Sequence, residues 1–188
     1  MSRTRNNFLT RNLDHNRALA GVTLILGGAR SGKSLYAERL IEPSGGGIYL
    51  ATAEALDPEM VARIQLHKDR RGVNWETIEE PLALSDVLGR FETQSDQPIL
   101  VDCLTLWISN LMGDQADILT EIDTLVSTVK NLRTPIIFVS NEVGLGIVPE
   151  NRLARIFRDY VGNLNQKIAH IADRVILVTA GIPLRLKG

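Results

Sequence analysis

A single cysteine, Cys103, stands among 188 residues. No internal disulfide can form, so a packed core must hold the fold. The composition fits a reducing compartment, and a cytoplasmic location is expected. No stretch approaches the length of a membrane-spanning helix. Neither sign of charge dominates, because 21 Lys+Arg against 22 Asp+Glu leave a net charge of −1 at pH 7. That balance, without interleaved aromatic and basic residues, gives no case for a nucleic-acid or membrane partner. No internal repeat and no low-complexity linker marks a domain boundary. The length suits one domain with a proper core.

Residues 1–20 carry Arg3, Arg5, Arg11 and Arg17 but no apolar segment of the kind a secretory signal needs. An Arg-rich, acid-poor leader also suits an organelle transit peptide. We read residues 1–20 as a disordered extension and residues 21–188 as one catalytic domain.

From there on, strands and helices alternate. Short apolar runs rich in β-branched residues occupy Val22–Leu26, Gly47–Ala51, Pro98–Asp102, Pro135–Ser140 and Arg174–Thr179. Helical patterns lie between them. This order predicts an α/β fold, a parallel sheet with helices on both faces. Pro183–Leu186 offers one more edge strand. Pro149 is placed to open the longest helix. Leu153, Ile156, Phe157, Tyr160, Leu164, Ile168 and Ile171 form its apolar stripe, with Arg152, Arg155, Arg158 and Lys167 on other faces.

Gly27-Gly28-Ala29-Arg30-Ser31-Gly32-Lys33-Ser34 follows the first apolar run and precedes a helical segment. It matches G-x-x-x-x-G-K-[ST] in the strand–loop–helix context that the P-loop needs. The glycines let backbone N–H groups converge on a phosphate, and the helix adds its positive end. Lys33 then reaches the β- and γ-phosphates, and Ser34 offers its hydroxyl to Mg²⁺. Asp102 closes the apolar strand Ile99-Leu100-Val101 and can hold Mg²⁺ directly or through water. These features predict nucleotide binding with phosphoryl transfer or hydrolysis, and name no acceptor.

Two further places invite chemistry. Asp57 and Pro58 are suited to open a helix through Arg71 on which Met60, Ile64 and His67 share a face. Lys68, Arg70 and Arg71 crowd its end and favour neutral, nucleophilic imidazole at His67. From spacing alone, His67 is either a nucleophile or a half-buried structural histidine. Asn141-Glu142 ends the Pro135–Ser140 strand and leads into Gly144-Leu145-Gly146. Ligands of open α/β sheets bind there, so the segment is either a substrate wall or a plain turn.

The islands GGARSGKS (27–34), YLATAE (49–54), RIQLHKDRR (63–71), NWETIEEP (74–81), VDCLTLWISNL (101–111), SNEVGLGIVPENRLARIFRDYVGNLNQKIA (140–169) and GIPLRLKG (181–188) carry a resemblance. From residue 21 onward the chain resembles the bifunctional adenosylcobinamide kinase/adenosylcobinamide-phosphate guanylyltransferase family. The P-loop is widely shared. The 140–169 segment together with R-I-x-x-H is the specific part.

The resemblance implies a RecA-like P-loop fold and two reactions. ATP or GTP phosphorylates the aminopropanol arm of adenosylcobinamide. GTP then donates GMP to that phosphate through a histidine–GMP intermediate, here on His67. It also implies nucleotide contacts at Ala51, Thr52, Ala53, Lys68, Asp69, Arg70, Arg71, Glu79 and Asp102. Lys68, Arg70 and Arg71 would bind phosphates or neutralise the leaving pyrophosphate. Glu79 would accept from a guanine edge or from a ribose. The implied substrates are a corrinoid, GTP and ATP with Mg²⁺, and the implied assembly is a homo-oligomer, a trimer. The chain departs from the family pattern in residues 1–20, in Leu66 where some members have a first histidine, in Gly72 where many have proline, and in Asp102 where some have glutamate. Two other readings fit the P-loop alone, a different small-molecule kinase and a RecA-like ATPase or nucleotide-binding module. Both leave the 140–169 match unexplained.

Overall fold

The first apolar run becomes strand β1, Val22–Gly27, with Leu24 and Ile25 wholly buried on opposite faces. A strand without polar alternation belongs in the middle of a parallel sheet. Its neighbours are β5 (Ile136–Asn141) and β6 (Arg174–Thr179), both parallel to it. Beyond β5 come β4 (Ile99–Asp102), β2 (Ile48–Ala51) and β3 (Glu76–Glu79), giving the order β3-β2-β4-β5-β1-β6-β7. This computed structural model describes residues 19, 21–54, 58, 61, 65, 71–91 and 97–188. The predicted helix carrying His67 lies almost wholly outside them.

Edge strand β7, Ile182–Lys187, runs antiparallel to β6. Ala180 (φ 51°) and Gly181 (φ 77°) make the two-residue turn between them. A tight hairpin needs positive φ at both central positions, which favours glycine. The expected edge strand is therefore present and one residue longer at each end. The other edge, β3, was not among the predicted strands. Its sequence ETIE is largely exposed and holds one apolar residue, so no hydrophobic run announces it.

Helices cover both faces, as expected. On one lie α2 (Leu84–Gly89), α3 (Leu104–Gly113), α4 (Ile118–Asn131) and α5 (Arg152–Ile171), packed around Trp107, Phe138 and Leu24. On the other, α1 (Lys33–Ile41) buries Ala37 and Ile41 against Ile25, Tyr49, Leu100 and Val139.

Helix α5 corrects two expectations. Pro149 does not open it. Asn151 caps it instead, its side-chain oxygen accepting from Ala154 N at 3.1 Å. An Asn side chain satisfies an orphan N–H of the first turn, which a proline three residues earlier cannot. Leu153 leaves the stripe and is 64% exposed, whereas Val161 is fully buried. The reason is reach. Asn165 donates from its Nδ2 to the carbonyl of Asn141, the last residue of β5, at 3.2 Å. At a rise of about 1.5 Å per residue, the helix start thirteen residues earlier lies roughly 20 Å along the helix axis from this contact.

Candidate active site

The P-loop leaves β1 at Gly27. A Cβ there would lie 2.5 Å from the Val178 carbonyl oxygen and 2.5 Å from Ser31 Oγ, so only glycine lets β6 and the loop close in. Arg30 (φ 56°) and Gly32 (φ 95°) are left-handed and turn the chain back on itself. Helix α1 then starts at Lys33 with no side-chain cap and no acidic residue in its first turn. Its orphan N–H groups and dipole are left for an anion. Lys33 Nζ donates to Gly28 O at 3.1 Å and is thereby held over the loop. Ser34 sits in the same first helical turn. Ser31 Oγ is buried without a hydrogen-bond partner among the described residues.

Two distant segments brace this loop. Glu142 N donates to Gly27 O at 3.1 Å, and Gly181 N donates to Ser31 O at 2.8 Å. The second brace is the turn of the β6–β7 hairpin, whose role was not legible in the sequence.

Asp102 ends β4, with β5 between it and the P-loop strand. Its register partner Val139 faces Ile25 of β1, so the carboxylate stands on the carboxyl side of the sheet. Tyr49 donates its phenol to Asp102 Oδ2 at 3.1 Å. Burial and then the Asp102 charge push the Tyr49 hydroxyl well above its ordinary range, so it stays a donor. Burial, followed by the Asp102 charge, pushes the Cys103 thiol up to about 11, and Lys33 among other groups opposes that rise. The Lys33 charge is therefore felt at the end of β4. One carboxylate and one hydroxyl fit Mg²⁺, which takes few protein ligands and completes its shell with phosphates and water. Among the described residues no cluster of three or more His, Cys, Asp or Glu could hold a metal by itself.

At the end of β2, Ala51 pairs with both Asp102 and Glu79, which puts the three in one row. Thr52 is fully buried. Its Oγ1 donates to Cys103 O at 2.7 Å and accepts from Cys103 N at 2.9 Å. Its own N–H reaches Asp102 O at 3.3 Å, and its carbonyl accepts from Asn110 Nδ2 at 2.8 Å. Each polar group of Thr52 thus has a partner inside the protein, and the residue ties the ends of β2 and β4 together. Asn110 also donates to Pro81 O at 3.1 Å, and Trp107 Nε1 to Leu82 O at 2.8 Å. Asn110 was missed, although a lone amide in the apolar helix LTLWISNLMG was a visible signal.

Arg71, expected to contact phosphate, packs against an aromatic ring in this structure. Its guanidinium carbon lies 3.4 Å from the centroid of the Tyr49 ring. It lines a groove with Glu38, Glu42, Gly46 and Trp75, near the end of α1 farthest from the P-loop. A cation there is drawn to the ring face and to nearby carboxylates. His67, Lys68, Asp69 and Arg70 lie outside the described residues.

Asn141 ends β5 beside the loop, its N–H donating to Thr105 Oγ1 at 2.6 Å. Glu142 Oε1 accepts from Gly144 N at 2.6 Å and folds the following turn. Beyond it Leu145 (85%), Ile147 (97%) and Val148 (61%) are exposed next to the start of α5. The segment is thus a turn that carries exposed apolar side chains.

A glycine loop on a helix terminus, a lysine held over it and a carboxylate two strands away make a nucleoside triphosphate site. The family model described as cobinamide kinase / cobinamide phosphate guanyltransferase matches residues 23–186. The chain belongs to this family. The bifunctional adenosylcobalamin biosynthesis protein CobP of Pseudomonas aeruginosa is 49% identical over 168 residues, covering 88% of this chain and 96% of that protein. CobU of Salmonella typhimurium is 43% identical over 179 residues, covering 87% and 98%. Among solved structures, the chain is similar to the flagellar accessory protein FlaH from Methanocaldococcus jannaschii (TM-score 0.50, 17% identity, 89% of this chain and 78% of that one). The RadB recombinase is comparable (TM-score 0.51, 13% identity, 85% and 75%). Those two show the fold alone, a P-loop sheet of the RecA-like kind. The family's description joins two activities, cobinamide kinase and cobinamide phosphate guanyltransferase.

Proposed function

We propose that this chain carries both activities of its family on adenosylcobinamide, with the P-loop binding the triphosphate in each. The family match across residues 23–186 carries the reading, and the P-loop with Asp102 supports it. In the kinase step the corrinoid's hydroxyl oxygen attacks the γ-phosphorus of ATP or GTP. The β–γ phosphoanhydride breaks, the nucleoside diphosphate leaves, and the hydroxyl proton passes to water or a base. Lys33 and the N–H groups of residues 28–34 stabilise charge on the phosphate oxygens. Ser34 and Asp102 would hold Mg²⁺, which would supply positive charge to the phosphate oxygens.

In the second step His67 attacks the α-phosphorus of GTP. A P–N bond forms, the α–β bond breaks and pyrophosphate leaves. The corrinoid phosphate oxygen then displaces the imidazole and gives adenosylcobinamide-GDP. A covalent intermediate splits one displacement into two easier ones. Lys68 and Arg70 face pyrophosphate and Glu79 the guanine or ribose. The exposed Leu145, Ile147, Val148 and Leu153 give the macrocycle an apolar wall. We also propose a cytoplasmic enzyme that assembles as a homo-oligomer, a trimer by resemblance, which light scattering measures directly.

GTP radiolabelled on the α-phosphate tests the reading in wild type and His67→Ala. The expected result is an acid-labile, base-stable label on wild type alone. Wild type that binds GTP yet takes no label overturns the guanylyltransferase half and leaves a P-loop kinase.

A further inference from the structure

Tyr49 lies in β2, on the α1 side of the sheet, and its contacts are unusual for a core residue. Its hydroxyl donates to Asp102 Oδ2 at 3.1 Å. The Arg71 guanidinium caps one face of the ring at 3.4 Å from the centroid, and Trp75 meets it edge-on at 6.4 Å and 74°. The residue is only 5% exposed. Arg71 Nη1 is buried and has no hydrogen-bond partner among the described residues. The contacts form one line, from the segment that ends four residues after His67, through a clamped ring, to the carboxylate that closes β4.

A carboxylate on a strand end has a soft χ2 torsion and turns easily. Fixing Oδ2 with a buried phenol removes that freedom and leaves Oδ1 for a cation. The ring must stay in place. An arginine on its face and an indole on its edge hold it better than aliphatic neighbours would.

We infer that Tyr49 is a positioning residue that orients Asp102 toward the nucleotide-bound cation, and that Arg71 acts on the same carboxylate by clamping the Tyr49 ring. The inference rests on the proposed placement of Mg²⁺ at Asp102. It gives Arg71 a task other than phosphate binding and links the His67 segment to the metal side of the site.

The test measures metal binding, not turnover. Mn²⁺ is titrated by electron paramagnetic resonance into the full chain with a non-hydrolysable GTP analogue. Wild type, Tyr49→Phe, Arg71→Met and Asp102→Asn are compared, and analogue binding in excess chelator reports the metal-free site. Asp102→Asn should weaken Mn²⁺ roughly tenfold or more, because a charged ligand is lost. Tyr49→Phe removes one oxygen atom and should weaken Mn²⁺ about fivefold, the size of one hydrogen bond. Its metal-free analogue binding should match wild type. Arg71→Met should fall between wild type and Tyr49→Phe, and the double variant should bind like Tyr49→Phe, since both act through one carboxylate. Wild-type Mn²⁺ affinity in Tyr49→Phe, with a loss in Asp102→Asn, overturns the positioning role and leaves the metal site standing. Wild-type affinity in Asp102→Asn overturns the metal placement itself. Additive losses in the double variant overturn the shared route.

Discussion

The two halves of the site are built by different means. The P-loop half is made of backbone. Gly27 admits a neighbouring strand, Gly32 turns left-handed, and N–H groups gather at the start of α1. The β2–β4 half is made of side chains. Thr52, Asn110 and Tyr49 tie the strand ends together through bonds spanning 51 to 58 residues of sequence. Backbone geometry is written in adjacent residues and reads as a motif. Side-chain ties between distant segments have no local signature. Loss of Lys33 in the first half should therefore show in function, and loss of the Thr52 hydroxyl in the second should show in stability.

The largest effect should come from Lys33→Ala. The ammonium is held over the loop by Gly28 O and is the charge closest to the proposed β- and γ-phosphates. Both activities should fall by roughly a hundredfold or more, as when one preorganised charge stabiliser is removed, while the melting temperature stays within a few degrees. Initial rates of corrinoid phosphorylation and of α-label uptake measure it. Retained kinase activity would separate the P-loop from the first reaction.

Gly27→Ala and Gly28→Ala sharpen the same contrast inside the loop. An added Cβ at Gly27 meets the Val178 carbonyl at 2.5 Å, and a carbonyl on a paired strand cannot easily yield. Overpacking of this kind costs about 1–3 kcal/mol, and the shifted loop should also bind GTP more weakly. At Gly28 nothing lies within 4 Å, so stability should hold. Any loss of affinity there comes from the space a phosphate needs. Calorimetric GTP titration and thermal melts of the two variants make the comparison.

Thr52→Val tests the other half. It is nearly isosteric, but it strips the hydroxyl that both donates to and accepts from the Cys103 backbone. The buried Cys103 N–H loses its partner, while Cys103 O keeps the bond it accepts from Trp107 N at 3.2 Å, and one orphan of this kind costs about 1–3 kcal/mol. Denaturant melts should show a loss of that order. GTP affinity should change much less than in Lys33→Ala, since the Thr52 side chain is buried and bonded to the Cys103 backbone. A variant with wild-type stability and lost affinity would move Thr52 back into the nucleotide site and break the comparison.

This division also explains what the sequence disclosed. The P-loop, Asp102 and the parallel sheet were legible, because spacing and apolar runs encode them. The strand β3 was not, because ETIE carries edge polarity in place of a hydrophobic run. The start of α5 was misread at Pro149, because a proline near a helix start is a weaker signal than the capping Asn151. Arg71 reads as a phosphate ligand beside Lys68 and Arg70, and its packing on the Tyr49 ring had no trace in the sequence. The brace from Gly181 to Ser31 joins residues 150 apart and had no local trace.

The smallest effect concerns Cys103, whose backbone the Thr52 clamp holds and whose thiol is buried. With the thiol pushed up to about 11, little thiolate exists at pH 8, and a reagent must wait for the strand ends to open. Wild type should therefore react with a thiol-disulfide reagent far more slowly than unfolded chain, and Thr52→Val should react faster in proportion to its lost stability. The sign of the pH effect follows from the raised value. Between 9.0 and about 11 the native thiol keeps a proton that the unfolded chain has released. Stability is thus fully present below that window and lost as pH rises through it. Cys103→Ala should flatten this slope without touching the stability difference that Thr52 makes at pH 7. Equal labelling rates for wild type and Thr52→Val would mean that the thiol is reached without opening the clamp, and the two halves would then differ less than their chemistry implies.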